Sequence, residues 1–94
     1  MSPTLKRYRR QILKLAREKG ALNVRVFGSC SQGEETAKSD IDLLVRMAEG
    51  MSLFDQIAFM HAVADLTGKK VDVVDDRGLS PYLRDRILSE AIPL

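Results

Sequence analysis

Ser39-Asp40-Ile41-Asp42-Leu43, with Leu44-Val45 completing the run, is the stretch that sets the architecture. It is too short for a helix and rich in β-branched and leucine side chains, so it reads as a strand. Successive strand residues point to opposite faces. Asp40 and Asp42 therefore share one face, and Ile41, Leu43 and Val45 share the other. Two carboxylates side by side repel each other and lose solvation as the strand packs. A divalent cation relieves both penalties, and Mg²⁺ favours carboxylate oxygens while keeping positions for water and phosphate. An isolated Asp-x-Asp also fits a pair of solvated strand-edge acids, so its neighbours decide.

Upstream, Leu22 to Phe27 alternates as a strand and runs directly into Gly28-Ser29-Cys30-Ser31-Gln32-Gly33. Gly28 lets backbone approach a bulky anion, Ser29 adds a hydroxyl donor, and Gly33 permits a turn. Free N–H groups of a helix starting here would also face the anion. The Walker A ending is missing, and so is the glycine spacing of the dinucleotide fingerprint. Downstream, Asp72 interrupts the apolar run Val71-Asp72-Val73-Val74. If this strand pairs beside residues 41–45, Asp72 joins the same acidic cluster. Asp75 and Asp76 read as ordinary loop acids.

The rest of the chain supports an α/β (α+β) fold, a small mixed sheet with helices packed on it, in a single domain spanning residues 1–94. Leu5, Tyr8, Ile12, Leu15 and Ala16 recur at helical spacing over residues 4–19, and Gly20 ends that helix. Ser52 caps a helix over Leu53 to Thr67, with Asp55 as the capping-box acid and Gly68 as the stop. Its spacing predicts that Leu53, Phe54, Ile57, Met60, Val63 and Ala64 are buried. Ser80 and Pro81 open a last helix whose apolar stripe is Leu83, Ile87, Leu88 and Ala91. The expected order is α, β, short α or turn, β, α, β, α. His61 reads as structural, Cys30 as a small residue tolerated in a turn, and Tyr8 and Tyr82 as packing residues.

Composition narrows the class. The chain has 94 residues, 45% of them apolar, and no internal repeat or linker. A lone cysteine excludes an internal disulfide and suits a reducing compartment. There is no membrane-length apolar run and no signal-peptide pattern, so a cytoplasmic protein is expected. The net charge of +2 conceals an asymmetry. Residues 1–20 carry seven Lys/Arg against Glu18, a balance of +6, and the remainder balances at −4. A basic first helix suits nucleic acid, nucleotide phosphates or an acidic partner, or is simply a solvated face.

Taken together, Gly28-Ser29, Gly33 and Ser39-Asp-Ile-Asp-Leu43 resemble the signature of the polymerase-β-like nucleotidyltransferase superfamily. The spacing looks like its minimal nucleotidyltransferase (MNT) members, which pair with HEPN proteins in prokaryotic toxin–antitoxin operons. The resemblance extends through Gly68–Val74 and the closing helix from Leu79 to Ala91. It implies a palm-like fold in which Gly28, Ser29, Gly33 and Ser39 hold the triphosphate of ATP. Asp40, Asp42 and Asp72 would bind two Mg²⁺ ions, and Asp72 could help deprotonate the acceptor hydroxyl. It further implies AMP transfer to a hydroxyl, that of a tyrosine, of a HEPN toxin, with no membrane or direct nucleic-acid partner and assembly as a homo- or hetero-oligomer. Many MNT proteins carry an arginine where this chain has Cys30, so Lys38, Arg46 or a basic residue of the first helix is expected to compensate. Competing readings are a toxin-binding module without catalysis, a small-molecule (aminoglycoside-type) nucleotidyltransferase, and a nucleic-acid binder.

Overall fold

A computed structural model describes residues 2–28 and 40–94. Helix α1 (Pro3–Lys19) leads into strand β1 (Ala21–Phe27), and β2 (Ile41–Met47) follows. Then come α2 (Leu53–Thr67), β3 (Val71–Asp75), a 3₁₀ turn (Asp76–Gly78), α3 (Pro81–Glu90) and β4 (Ile92–Pro93). The sheet runs β3-β2-β1-β4. β1 is antiparallel to β2 and to β4, whereas β2 and β3 are parallel. A parallel pair needs a connection that crosses back over the sheet, and α2 is that connection.

Local chemistry explains the boundaries. The buried Ser2 hydroxyl accepts the Leu5 N–H at 3.2 Å, and Pro3 occupies the first helical position. Gly20 closes α1 in the left-handed conformation at φ 72°. At α2 the Asp55 carboxylate accepts the Ser52 N–H at 2.9 Å, the back-reaching half of a capping box. A bulge interrupts β1 between Leu22 and Arg25, where Asn23 takes φ 51°.

α1 and α2 cover one face of the sheet. Leu5, Ile12 and Ala16 meet Val24 and Val26 of β1, Ile41, Leu43 and Val45 of β2, Val71 and Val73 of β3, and Phe59 and Val63 of α2. The alternation read from residues 41–45 therefore holds, with Ile41, Leu43 and Val45 fully buried. Asp42, Leu44 and Arg46 leave β2 on the opposite face.

The buried stripe of α2 differs from its expected position. Leu53 is 66% exposed, Phe54 83% and Ile57 36%, and the anchors are Phe59 and Val63. Met60 and Ala64 are partly buried against the core. The helix is apolar on nearly every side, so spacing alone did not select the face that meets the sheet. Its first turn projects beyond the sheet, and Gln56 donates to the Val73 carbonyl at 3.0 Å where contact begins. Phe54→Ser should accordingly change unfolding free energy by no more than about 0.5 kcal/mol in chemical denaturation.

Three further expectations are corrected. α3 has no buried residue, and Leu83 is half exposed, so its stripe is only a partial seal. Tyr82 is 96% exposed and packs on nothing, although Tyr8 does lie against the core. The chain also adds β4, whose two residues pair with Arg25 and Val26. Leu94 is buried beyond it, with its N–H on the Val24 carbonyl at 2.9 Å and its own carbonyl accepting from Arg9.

Asp75 and Asp76 are not ordinary loop acids. Asp76 is buried, and its two carboxylate oxygens take Arg25 and Arg46, each at 2.8 Å. Asp75 accepts from the Arg77 side chain and from the Met47 N–H. Both lie at the far end of the sheet from Asp42, where strand ends bring distant Arg25 and Arg46 to Asp76 and the 3₁₀ turn brings neighbouring Arg77 to Asp75. Among the described residues, no helix is long and apolar enough to cross a membrane.

Candidate active site

Parallel pairing of β2 with β3 aligns Ile41 with Val71, Asp42 with Asp72 and Leu43 with Val73. Paired residues on neighbouring strands lie side by side, roughly 5 Å apart at the backbone, and point the same way. Asp42 and Asp72 therefore present their carboxylates from adjacent strands, although 29 residues separate them in sequence. Asp40 comes one pleat earlier on the same side of β2. All three line one cleft of about 440 Å³, together with Met60, His61, Ala64, Lys70 and Val71.

The electrostatics agree with this geometry. Partial burial pushes the Asp42 carboxyl above the ordinary carboxylate range, and the charges of Asp72 and then Asp40 push it further. Asp42 is half-buried, whereas Asp40 and Asp72 are exposed.

β1 supplies the other wall. Phe27 pairs with Asp42, and Gly28 continues past it with φ 73°. A Cβ on Gly28 would stand 2.6 Å from Asp42 Oδ2. Only glycine combines that conformation with that approach. Gly28→Ala should cost about 1–2 kcal/mol of stability from the backbone alone. It should also swing the Asp42 carboxylate aside and lower turnover, as a thermal melt and a transfer assay on the same sample would read out. Unchanged turnover would show that the contact does not matter.

The sequence-derived residues thus divide. Asp40, Asp42 and Asp72 are brought together, and Gly28 borders them. Ser29, Gly33 and Ser39 lie outside the described residues, as do Cys30 and Lys38. Arg46 does not compensate for Cys30. It is held by Asp76 and sits four residues along β2 from Asp42, roughly 13 Å away. Lys6, Arg7, Arg9 and Arg10 of α1 line a separate depression.

Sequence reasoning missed Lys70, Met60 and Ala64 as cleft residues, and it placed His61 in a structural role. His61 is exposed and on the cleft wall. One signal was available: Lys70 precedes Asp72 by two residues, as Asp40 precedes Asp42, so it shares the side of the acids. The Lys70 carbonyl accepts the Ile41 N–H at 2.9 Å, which fixes this end of the cleft.

The donor set is three carboxylates, hard oxygen ligands that suit Mg²⁺. Among the described residues, no three acidic, histidine or cysteine side chains close around a point as they stand. Mutual repulsion spreads bare carboxylates, and a Mg²⁺ ion typically draws part of its shell from water and substrate phosphates. The residues therefore fit the ion.

A mixed sheet backed by helices, presenting paired aspartates beside a glycine turn, is the frame of a nucleotidyl-transferring enzyme. Residues 10–94 match the family model described as Polymerase beta, Nucleotidyltransferase, and the chain belongs to that family. A relative from Methanocaldococcus jannaschii, named "Putative protein adenylyltransferase MJ0435", is 37% identical over 84 residues, covering 89% of this chain and 90% of the relative. A solved "putative minimal nucleotidyltransferase" is 47% identical, covers 97% of this chain and 93% of its own, and superposes with a TM-score of 0.87. A toxin–antitoxin crystal structure with AMP-PNP matches at 28% identity over 89% of this chain and 69% of that one, with a TM-score of 0.77.

Proposed function

We propose that the chain is a nucleotidyltransferase antitoxin that transfers AMP from ATP to a tyrosine hydroxyl of a HEPN-type toxin and thereby neutralises it. The observation that carries this reading is the in-register pair Asp42 and Asp72, with Asp40 beside it and Gly28 against Asp42. Support also comes from similarity to a protein named as an adenylyltransferase and to a toxin–antitoxin pair solved with an ATP analogue.

The Gly28 turn offers backbone, free of a side chain, to the triphosphate. Asp40, Asp42 and Asp72 would hold Mg²⁺, two ions in full, which supplies Lewis-acid neutralisation of phosphate charge. The acceptor oxygen forms a bond to the α-phosphorus as the bond to the bridging oxygen breaks, and pyrophosphate leaves. Asp72, at the edge of the trio, takes the hydroxyl proton on its carboxylate. A second protein presents the acceptor, and the pair works in the cytoplasm.

The test is to incubate the protein with a HEPN-type toxin, ATP and Mg²⁺, and to weigh the partner. One or more adenylyl increments are expected, and none with the double variant Asp40→Ala, Asp42→Ala. An unmodified partner, with both proteins folded, overturns the reading. Neutralisation that survives the double variant would assign the effect to binding alone.

A further inference from the structure

The outer face of α1 takes no part in the fold or in the transfer site. Opposite the buried stripe of Leu5, Ile12 and Ala16, the helix carries Lys6, Arg7, Arg10, Lys14 and Arg17, all exposed. At 3.6 residues per turn these five fall within an arc of roughly 100°, and the row from Lys6 to Arg17 is roughly 16 Å long. At its start, Lys6, Arg7, Arg9, Arg10 and Gln11 line a depression of about 430 Å³. Asp42 and Asp72 leave the sheet on the face that α1 does not cover, so the row is separate from their cleft.

The row is not balanced from within. Among the described residues, no acid forms an ion pair with a cation of α1, whereas Arg25, Arg46, Arg77 and Arg86 each pair with an acid. Glu18, near the end of the helix, is its only acid. The first turn has none, although the partial positive charge of a helix N-terminus favours one. Lys6 and Arg10 stand four residues apart, as do Arg10 and Lys14, and each pair repels. Such a row weakens the free helix and is relieved by a bound polyanion.

The pattern narrows the polyanion. Repeated cations with no acid between them match a ligand of repeated like charge, a phosphodiester backbone, whereas protein surfaces present mixed signs. Single-strand binders stack bases on exposed aromatic rings. Tyr8, the aromatic residue of α1, is half-buried, and the Arg7 guanidinium stands over it at 5.3 Å from the ring centroid. A protruding helix enters the wide major groove of B-form DNA but not the deep, narrow one of an RNA duplex. We propose that this face of α1 is a docking surface for duplex DNA, held through its phosphates and without sequence preference. The proposal departs from the absence of a nucleic-acid partner that the family resemblance implies, and it does not rest on the transfer reading.

The experiment titrates the whole chain into a fluorescein-labelled, mixed-sequence DNA duplex of two helical turns and reads anisotropy between about 50 and about 200 mM salt. Four or five neutralised phosphates should give a slope of about −4 for log affinity against log salt. Arg10→Gln combined with Lys14→Gln should weaken binding at least tenfold and flatten the slope by about two. Both positions are exposed, and losing their repulsion should leave the thermal midpoint unchanged or higher. Arg86→Gln, which removes a cation from α3, should change affinity less than twofold. Single-stranded DNA, an RNA duplex and a polyglutamate peptide of matched charge should each bind at least threefold more weakly. No binding at the lower salt, a slope near zero, equal losses in the two variants, or any of these three ligands binding as tightly as the DNA duplex overturns the proposal.

Discussion

Asp42→Asn should abolish nucleotidyl transfer, with at least a hundredfold loss, and leave the fold as stable as before or slightly more so. The loss follows from position. Asp42 is flanked by Asp72 on one strand and by Gly28 on another, and it shares its face with Asp40. Removing a single preorganised group from such a site typically costs about 10²–10³ in rate. The stability follows from electrostatics. Partial burial, Asp72 and Asp40 all oppose ionisation of the Asp42 carboxyl. An amide of the same shape keeps the packing and removes the repulsion. Added Mg²⁺ should raise the thermal midpoint of the parent protein, because an ion bound only by the folded state stabilises it. That rise should vanish in the variant. Turnover within a few fold of the parent, measured on a well-folded sample, would remove Asp42 from the mechanism.

Asp76→Ala should do the reverse, lowering stability by roughly 3 kcal/mol. Asp76 is buried and takes Arg25 on one oxygen and Arg46 on the other. The Arg46 side chain is 53% exposed and returns to water when released, whereas that of Arg25 is 12% exposed and stays behind as an uncompensated charge. The cost is therefore dominated by Arg25. For a chain of this size it should lower the thermal midpoint by roughly 10–20 °C. The pH dependence gives a second check. Burial raises the Asp76 carboxyl, but hydrogen bonds from Arg25 and Arg46 and the charges of those arginines outweigh it and hold it below the ordinary carboxylate range. A depressed carboxyl contributes its full stability above its unfolded value of about 4 and loses it as pH falls further. The stability curves of parent and variant should thus be separated at neutral pH and converge in acid. A constant gap down to low pH would show that packing, not the ion pairs, accounts for the difference.

How much of this was legible beforehand depended on distance along the chain. Ile41–Val45 declared its two faces through strict alternation, and the acids at positions 40 and 42 followed from it. Gly20, Ser52 and Ser80 marked helix ends because capping acts over three or four residues. The contribution of Asp72 needed one further fact, the parallel pairing with β2, which sequence could only suppose. Asp76 was misread because its partners lie 30 and 51 residues away. The buried face of α2 was misplaced because Leu53, Phe54, Ile57, Phe59, Met60, Val63 and Leu66 leave hardly any side of that helix polar. Two-residue β4 is too short to have a pattern at all. His61 and Lys70 look ordinary until the fold sets them beside three carboxylates.

The helix that joins the two parallel strands has a second consequence. Its inner side, through Phe59 and Val63, clamps the sheet, while its flank faces the cleft a turn away. Loosening that clamp must therefore widen the α2 side of the cleft before the molecule unravels, yet leave the β1 side undisturbed. Nucleotidyl transfer should fade at temperatures below the global melt. Thermal tolerance and turnover then become one property of a single helix, and neither can be altered without the other.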